Sequence, residues 1–177
     1  LVRACVQAWA DSESAARSLA QSVKVQTSPI VTAENSAEEK NWSVSYQILV
    51  PRNTNLKLTA NNGGISIYGV EGEMDFVTKN GGLHLGEIAG NVKGRTQNGG
   101  VHLKLNGKSW KGTGLDLETK NGGVHLSLPQ DYSAKIETET VNGGFHSDFA
   151  ALQVESKRSW GRRSISKDLN GGGATVR

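Results

Sequence analysis

All four histidines of the chain occupy one repeated position. His84, His102, His125 and His146 each stand two residues after the second glycine of an Asn-Gly-Gly tripeptide, and Ser66 takes that place in the first copy. Neutral imidazole ligates zinc, copper and nickel, so a row of histidines reads first as a weak divalent-metal site. Zinc takes three or four ligands around one point. A straight column supplies neighbouring pairs instead, with Asp148 or Ser147 near the last of them. A row of imidazoles is also a candidate pH sensor, because adjacent imidazolium charges repel. A plainer reading competes with both: histidine is an acceptable outward residue on an exposed strand, copied with the repeat.

Other groupings point to less. Gly171-Gly172-Gly173 lacks the lysine and the following helix of a phosphate loop, and no Gly-x-Ser-x-Gly nucleophile elbow occurs. Glu137 and Glu139 alternate on one face of a strand, as solvated carboxylates do. Arg158, Arg162 and Arg163, with Lys157 and Trp160, form a basic and aromatic cluster. Such a cluster suits an anionic polymer or a lipid headgroup, or is simply a solvated face. Trp110, between Lys108 and Lys111, reads as an exposed loop aromatic that would stack on a glycan or anchor a protein partner; packing back onto the repeats is the alternative. No acid, base and nucleophile converge, so no catalytic residue and no required cofactor are expected.

The elements that must hold these residues are repeats. Asn-Gly-Gly begins at Asn62, Asn80, Asn98, Asn121, Asn142 and Asn170. Threonine precedes the asparagine by two residues at Thr78, Thr96, Thr119 and Thr140. Apolar residues flank the histidine position in Ile65/Ile67, Leu83/Leu85, Val101/Leu103 and Val124/Leu126, a period of two that marks strands. A second turn follows at Gly72 and Gly90, then a second strand leading to the next asparagine. Asn-Gly readily adopts positive φ, which explains a repeated corner.

Two architectures fit. An antiparallel meander, or a sandwich, would use each Asn-Gly as a hairpin turn. A parallel β-solenoid would stack each unit as a coil, and only stacking explains why units resemble each other residue for residue. The expectation is therefore an all-β solenoid over residues 54–177. Its asparagines and threonines would stack into hydrogen-bonded columns, and the longer fourth unit would bulge out at residues 106–114. Residues 1–53 read as a β-α-β-β segment, a small α+β cap: strand 1–10, a helix capped by Asp11 or Ser12 and running to about Val23, strand 24–32, a polar turn 33–41, and strand 42–50 ended by Pro51.

Composition agrees with a folded domain. Of 177 residues, 36% are apolar and 21% charged, with 22 glycines against 3 prolines, which fits many tight turns. The net charge of +3 is spread along the chain without a like-charge block, so no nucleic-acid partner is expected. No apolar run reaches bilayer-spanning length, and no leader segment stands at the start. The single cysteine, Cys5, excludes an intramolecular disulfide and reads as a buried, inert thiol.

The Thr-x-Asn-Gly-Gly-apolar-x-apolar unit resembles bacterial adhesin-type β-strand-repeat domains, a family of unknown function. Ala8-Trp9-Ala10-Asp11, the alanine-rich helix after it, and Trp42-Ser43-Val44-Ser45-Tyr46 leading to Val50-Pro51 are similar to members of the same family. The resemblance covers nearly the whole chain, departing at the start, where an upstream strand is lacking, and at the end, where few residues follow Asn170. It implies a right-handed solenoid-like fold in a secreted, periplasmic or surface-attached protein. The expected role is a binding or structural module whose partner is an envelope component, a glycan or another protein. A metal-binding or pH-responsive surface protein and a polysaccharide-processing β-helix are the rival expectations.

Overall fold

The structure, a computed structural model, describes residues 1–35, 41–140, 143–149, 152 and 163–177. The chain divides into two compact units, Leu1–Val50 and Pro51–Arg177.

In the first unit, β1 (Val2–Ala8) is followed by α1 (Glu13–Ser22), β2 (Val23–Gln26), β3 (Thr32–Asn35) and β4 (Trp42–Ile48). Ser12 caps the helix, its hydroxyl accepting from the Ala15 N–H at 3.2 Å. Leu19 of the helix and Val23 after it are buried. β1 and β4 form an antiparallel ribbon with Val2 opposite Ile48 and Ala8 opposite Trp42. Two expectations are corrected here. Residues 24–32 are not one strand, because Pro29, without an N–H to give a ladder, sits in the turn between β2 and β3; β3 takes residues 32–35, the start of the expected polar turn, so the order is β-α-β-β-β instead of β-α-β-β. Cys5 is not buried: it lies opposite Ser45 on the polar side of the ribbon and is exposed.

The second unit is a stack of parallel strands in two sheets. Its elements are β5 (Leu56–Asn62), β6 (Ile65–Tyr68), β7 (Glu71–Asn80), β8 (Leu83–Gly86), β9 (Ala89–Asn98), β10 (Val101–Lys104), β11 (Gly114–Asn121), β12 (Val124–Ser127), β13 (Ala134–Thr140), β14 (Phe145–Ser147), β15 (Arg163–Leu169) and β16 (Thr175–Val176). The short strands form one sheet in the order β14-β12-β10-β8-β6. The long ones form another, in the order β15-β13-β16-β11-β9-β7-β5. The pairs are parallel except β13 with β15, and from β5 to β11 and from β6 to β14 each residue lies beside its counterpart one repeat away. Side chains from both sheets fill the space between them. Met74, Phe76 and Val92 come from the long strands, and Ile67, Leu83, Leu85 and Val101 from the short ones, all at most 4% exposed. The meander is thereby excluded and the solenoid-like stack observed.

The asparagine and threonine columns form as the repeat implies. Asn80 donates through Nδ2 to Asn62 Oδ1 at 2.8 Å, Asn98 to Asn80 at 2.9 Å and Asn121 to Asn98 at 2.8 Å. Each threonine of the column reaches back one coil. Thr78 Oγ1 donates to the Gly63 carbonyl at 2.9 Å, Thr96 to Gly81 at 2.8 Å and Thr119 to Gly99 at 2.8 Å. Asn142 lies outside the described residues. Asn170 is not in the column. Its backbone is left-handed, φ 47°, and its amide donates to the Gln130 and Tyr132 carbonyls. The sixth Asn-Gly-Gly therefore turns β15 into β16 rather than closing a coil.

The reason for the corner glycines also differs from expectation. Only Gly63 among the first glycines of the five coil corners has a positive φ. In Gly81, Gly99, Gly122 and Gly143 the demand is space: a Cβ would fall deep inside the carbonyl of the equivalent glycine one coil earlier. The insertion at 106–114 is accommodated by a bulge, after which Trp110 and Gly112 rejoin the stack above Gly90.

Three outcomes follow for urea-induced unfolding and hydrogen exchange. Gly99→Ala should cost about 1–3 kcal/mol or more, since neither backbone can yield. Gly144→Ala, where nothing lies within 4 Å of a Cβ and φ is not positive, should be close to neutral. Thr96→Val should cost about 1 kcal/mol by leaving the Gly81 carbonyl without its partner.

Candidate functional site

The histidines fall on the outer face of the short-strand sheet because their neighbours are pulled inward. In β8 and β10, Leu83, Leu85, Val101 and Leu103 are buried, so His84 and His102 between them must face out. Parallel register then places His84 beside His102, His102 beside His125 and His125 beside His146. The rings of His84 and His102 stack at 4.8 Å between centroids with planes 2° apart. Those of His125 and His146 stack at 5.0 Å and 19°. The step between the pairs is looser, 5.8 Å and 35°. Gly82 and Gly100 lie beside the rings: a Cβ on Gly82 would meet His84 Nε2 at 3.4 Å, and one on Gly100 would meet His102 Nε2 at 3.7 Å, both ordinary contacts.

Asp148 faces the second pair. One carboxylate oxygen lies 3.7 Å from His125 Nε2 and the other 3.7 Å from His146 Nε2. These groups are substantially exposed, so the attraction is weak in solvent. Ser147 does not join them. It is buried, and its hydroxyl accepts from the Phe149 N–H at 3.2 Å, so the expectation that it completes the last rung is corrected. Among the described residues no group of three or more His, Cys, Asp or Glu side chains is arranged to hold a metal ion. A column one strand spacing apart sets rings side by side instead of around a point.

Trp110 is not a surface aromatic. It is 6% exposed and its indole Nε1 donates to the Gly90 carbonyl at 3.1 Å. It takes the interior place held by Val70 and Ile88 in earlier coils, because an indole can both fill the core and satisfy its N–H there. The contact role expected for it is therefore corrected. Trp160 and Arg162 lie outside the described residues, as do Lys157 and Arg158. Arg163 begins β15, beside Thr140.

Sequence reasoning missed a charged column on the other sheet. Lys57, Asp75, Lys93 and Asp116 are register neighbours on the outer face of β5, β7, β9 and β11. Arg177 follows, one residue past Val176, and its guanidinium holds Glu137 Oε2 at 2.6 Å. Signs alternate along the whole row. The spacing of Lys57, Asp75 and Lys93 by one 18-residue unit was a visible signal; the place of Arg177, which returns to the middle of the sheet, was not. The Lys135 ammonium and the Arg177 guanidinium hydrogen-bond Glu137 and hold its carboxyl far below the usual range, at about 2.

Parallel stacked coils with stacked polar columns define a β-solenoid-like repeat protein. The profile of the Toastrack DUF4097 family matches residues 10–170. The chain belongs to that family, whose function is unknown. No curated protein and no solved structure matches the chain. Among the described residues no helix is long and apolar enough to cross a membrane.

Glu137 gives a pH prediction with a definite sign. A carboxyl whose folded value lies below its unfolded value stabilises the fold above the unfolded value, near 4.5, and loses that contribution as pH falls towards about 2. Melting temperature should therefore fall across this acid window. Glu137→Gln should flatten that part of the profile, with little change in its shape at neutral pH.

Proposed function

We propose that the chain is a non-catalytic binding or structural module of the adhesin type, acting outside the cytoplasm in the envelope or at the cell surface. The observation that carries this reading is how the repeated positions are used. Threonines, asparagines and glycines are spent on coil-to-coil contact, apolar residues on the core, and the outward residue that recurs is histidine. What remains outward is a rigid, regular polar surface, which suits recognition of an extended partner such as a glycan, an envelope polymer or another protein. The same reading makes the coil right-handed, as parallel crossovers nearly always are. Its test is a panel of envelope polysaccharides and envelope extracts probed with the purified chain. Binding that drops when His84 and His102 are replaced by serine supports the reading; turnover of a polysaccharide in place of binding overturns it.

The second reading is divalent-metal capture by the histidine column, and Asp148 facing two imidazoles is what favours it. Two ligands each about 2.0–2.2 Å from one tetrahedral ion lie about 3.4 Å apart, so the 3.7 Å separations between Asp148 and each imidazole need to close only slightly for an ion to sit between them. Calorimetric titration with zinc and nickel decides it. Saturable binding lost in His102→Ala/His125→Ala establishes the site. Absence of binding in the unmutated chain removes it.

A further inference from the structure

The sequence holds seven Asn-Gly pairs. Six of them open the Asn-Gly-Gly tripeptides, at Asn62, Asn80, Asn98, Asn121, Asn142 and Asn170. The seventh, Asn106-Gly107, lies in the bulge of the fourth unit. Asparagine is a thermally labile residue, and a glycine after it opens a route for its loss. The glycine's backbone nitrogen can attack the asparagine's side-chain carbonyl carbon, because glycine has no side chain to obstruct the approach. The reaction needs two freedoms. The carboxamide must swing onto the nitrogen, and the nitrogen must be released from any hydrogen bond.

The stacked coils withhold both freedoms. The Gly63 N–H donates to the Asn80 carbonyl at 2.8 Å, Gly81 to Asn98 at 2.9 Å and Gly99 to Asn121 at 3.1 Å. The carboxamides of Asn62, Asn80 and Asn98 are tied to one another along their column, with Asn121 at its end. Asn170 stands apart from the column, but the Gln130 and Tyr132 carbonyls hold its amide at 3.0 and 2.9 Å. Asn106-Gly107 has neither lock. Both residues are exposed. Among the described residues, neither the Asn106 amide nor the Gly107 N–H has a hydrogen-bond partner. Gly107 is left-handed, φ 77°, with nothing within 4 Å of a Cβ. The bulge is anchored on either side of the pair. The N–H of buried Leu105 donates to the Ser127 carbonyl at 2.9 Å, and the Lys108 carbonyl accepts from the Ser133 N–H at 2.6 Å.

We propose that Asn106 is a site of spontaneous covalent modification, and that the coil-to-coil columns shield the corner asparagines from the same reaction. The Gly107 nitrogen bonds to Asn106 Cγ as the Cγ–Nδ2 bond breaks. The proton of that nitrogen leaves with Nδ2 as ammonia, and a five-membered succinimide remains. Water then opens the ring at one of its two carbonyls. One opening gives aspartate. The other gives isoaspartate, in which the main chain runs through the former side chain. Either product replaces a neutral amide with a carboxylate, and nothing is oxidised or reduced. The new charge falls between Lys104 and Lys108 in the chain, in a bulge whose flanks stay anchored, so the stack is untouched. The same change at Asn80 would set a carboxylate against Asn62 Oδ1, which now accepts from the Asn80 amide, and would break the column.

The test incubates the full chain in mildly alkaline buffer and follows it by tryptic peptide mapping with mass spectrometry. Fragmentation separates aspartate from isoaspartate. The Leu105–Lys108 peptide should convert first, to both products. The peptides carrying Asn62, Asn80 and Asn98 should convert at least about tenfold more slowly, because their reaction waits on the breaking of native hydrogen bonds. A parallel incubation in urea, with the chain unfolded, should remove most of that difference, since every pair then has glycine after asparagine and no lock. Conversion at Asn106 no faster than at the three corners of the folded chain would overturn the proposal. So would a difference that persists undiminished in urea, which would assign it to local sequence instead of the stack.

Discussion

The contact of one coil's backbone with the next at the glycine corners constrains everything else in the repeat unit. Two carbonyl-bearing backbones meet there with no space for a Cβ, and the penalty for adding one falls on atoms that cannot rotate away. That closeness sets the register. Once Gly81 rests on Gly63, Thr78 is within reach of the Gly63 carbonyl and Asn80 of the Asn62 amide. The apolar alternation then falls inward in both sheets, and the remaining residues are forced out as columns. The histidine row and the alternating charge row are both consequences of that one alignment.

The columns differ in what they contribute. The threonine column, buried at Thr78 and Thr96, satisfies carbonyls that would otherwise be orphaned, so it belongs to stability. Asparagine amides at the edge add coil-to-coil hydrogen bonds that are partly replaceable by water. The charge row prevents like charges from facing each other across neighbouring strands, which would destabilise the sheet. The histidine row does none of these structural jobs. It carries stacked rings on an exposed face, and this is why the functional reading rests on it.

Much of the second unit was legible because the repeat over-determines it. Six copies of one tripeptide with threonine before and alternating apolar residues after place strands, corners and face within a residue or two. What was not legible depended on contacts far apart in sequence. Trp110 looks like a loop aromatic between lysines, yet four residues added to the 18-residue unit before it return it to the core position of Val70 and Ile88. The sixth Asn-Gly-Gly has the same letters as the others and a different job, since the antiparallel β15 precedes it. Arg177 sits beside Glu137, 40 residues earlier, and no local pattern announces that. In the first unit, Cys5 follows the strand alternation and so falls on the polar side of its ribbon.

In-register parallel stacking of successive coils is the claim on which all the columns stand. It is tested most directly by the distance between two outward residues separated by one intervening strand. Lys57 and Lys93 flank Asp75 in this way. Nitroxide labels at Lys57→Cys and Lys93→Cys, in a Cys5→Ser background, should show strong dipolar broadening at a backbone separation of about 10 Å, twice the strand spacing. Spectra equal to the sum of the two singly labelled proteins would place the strands far apart and contradict the stacked-coil account.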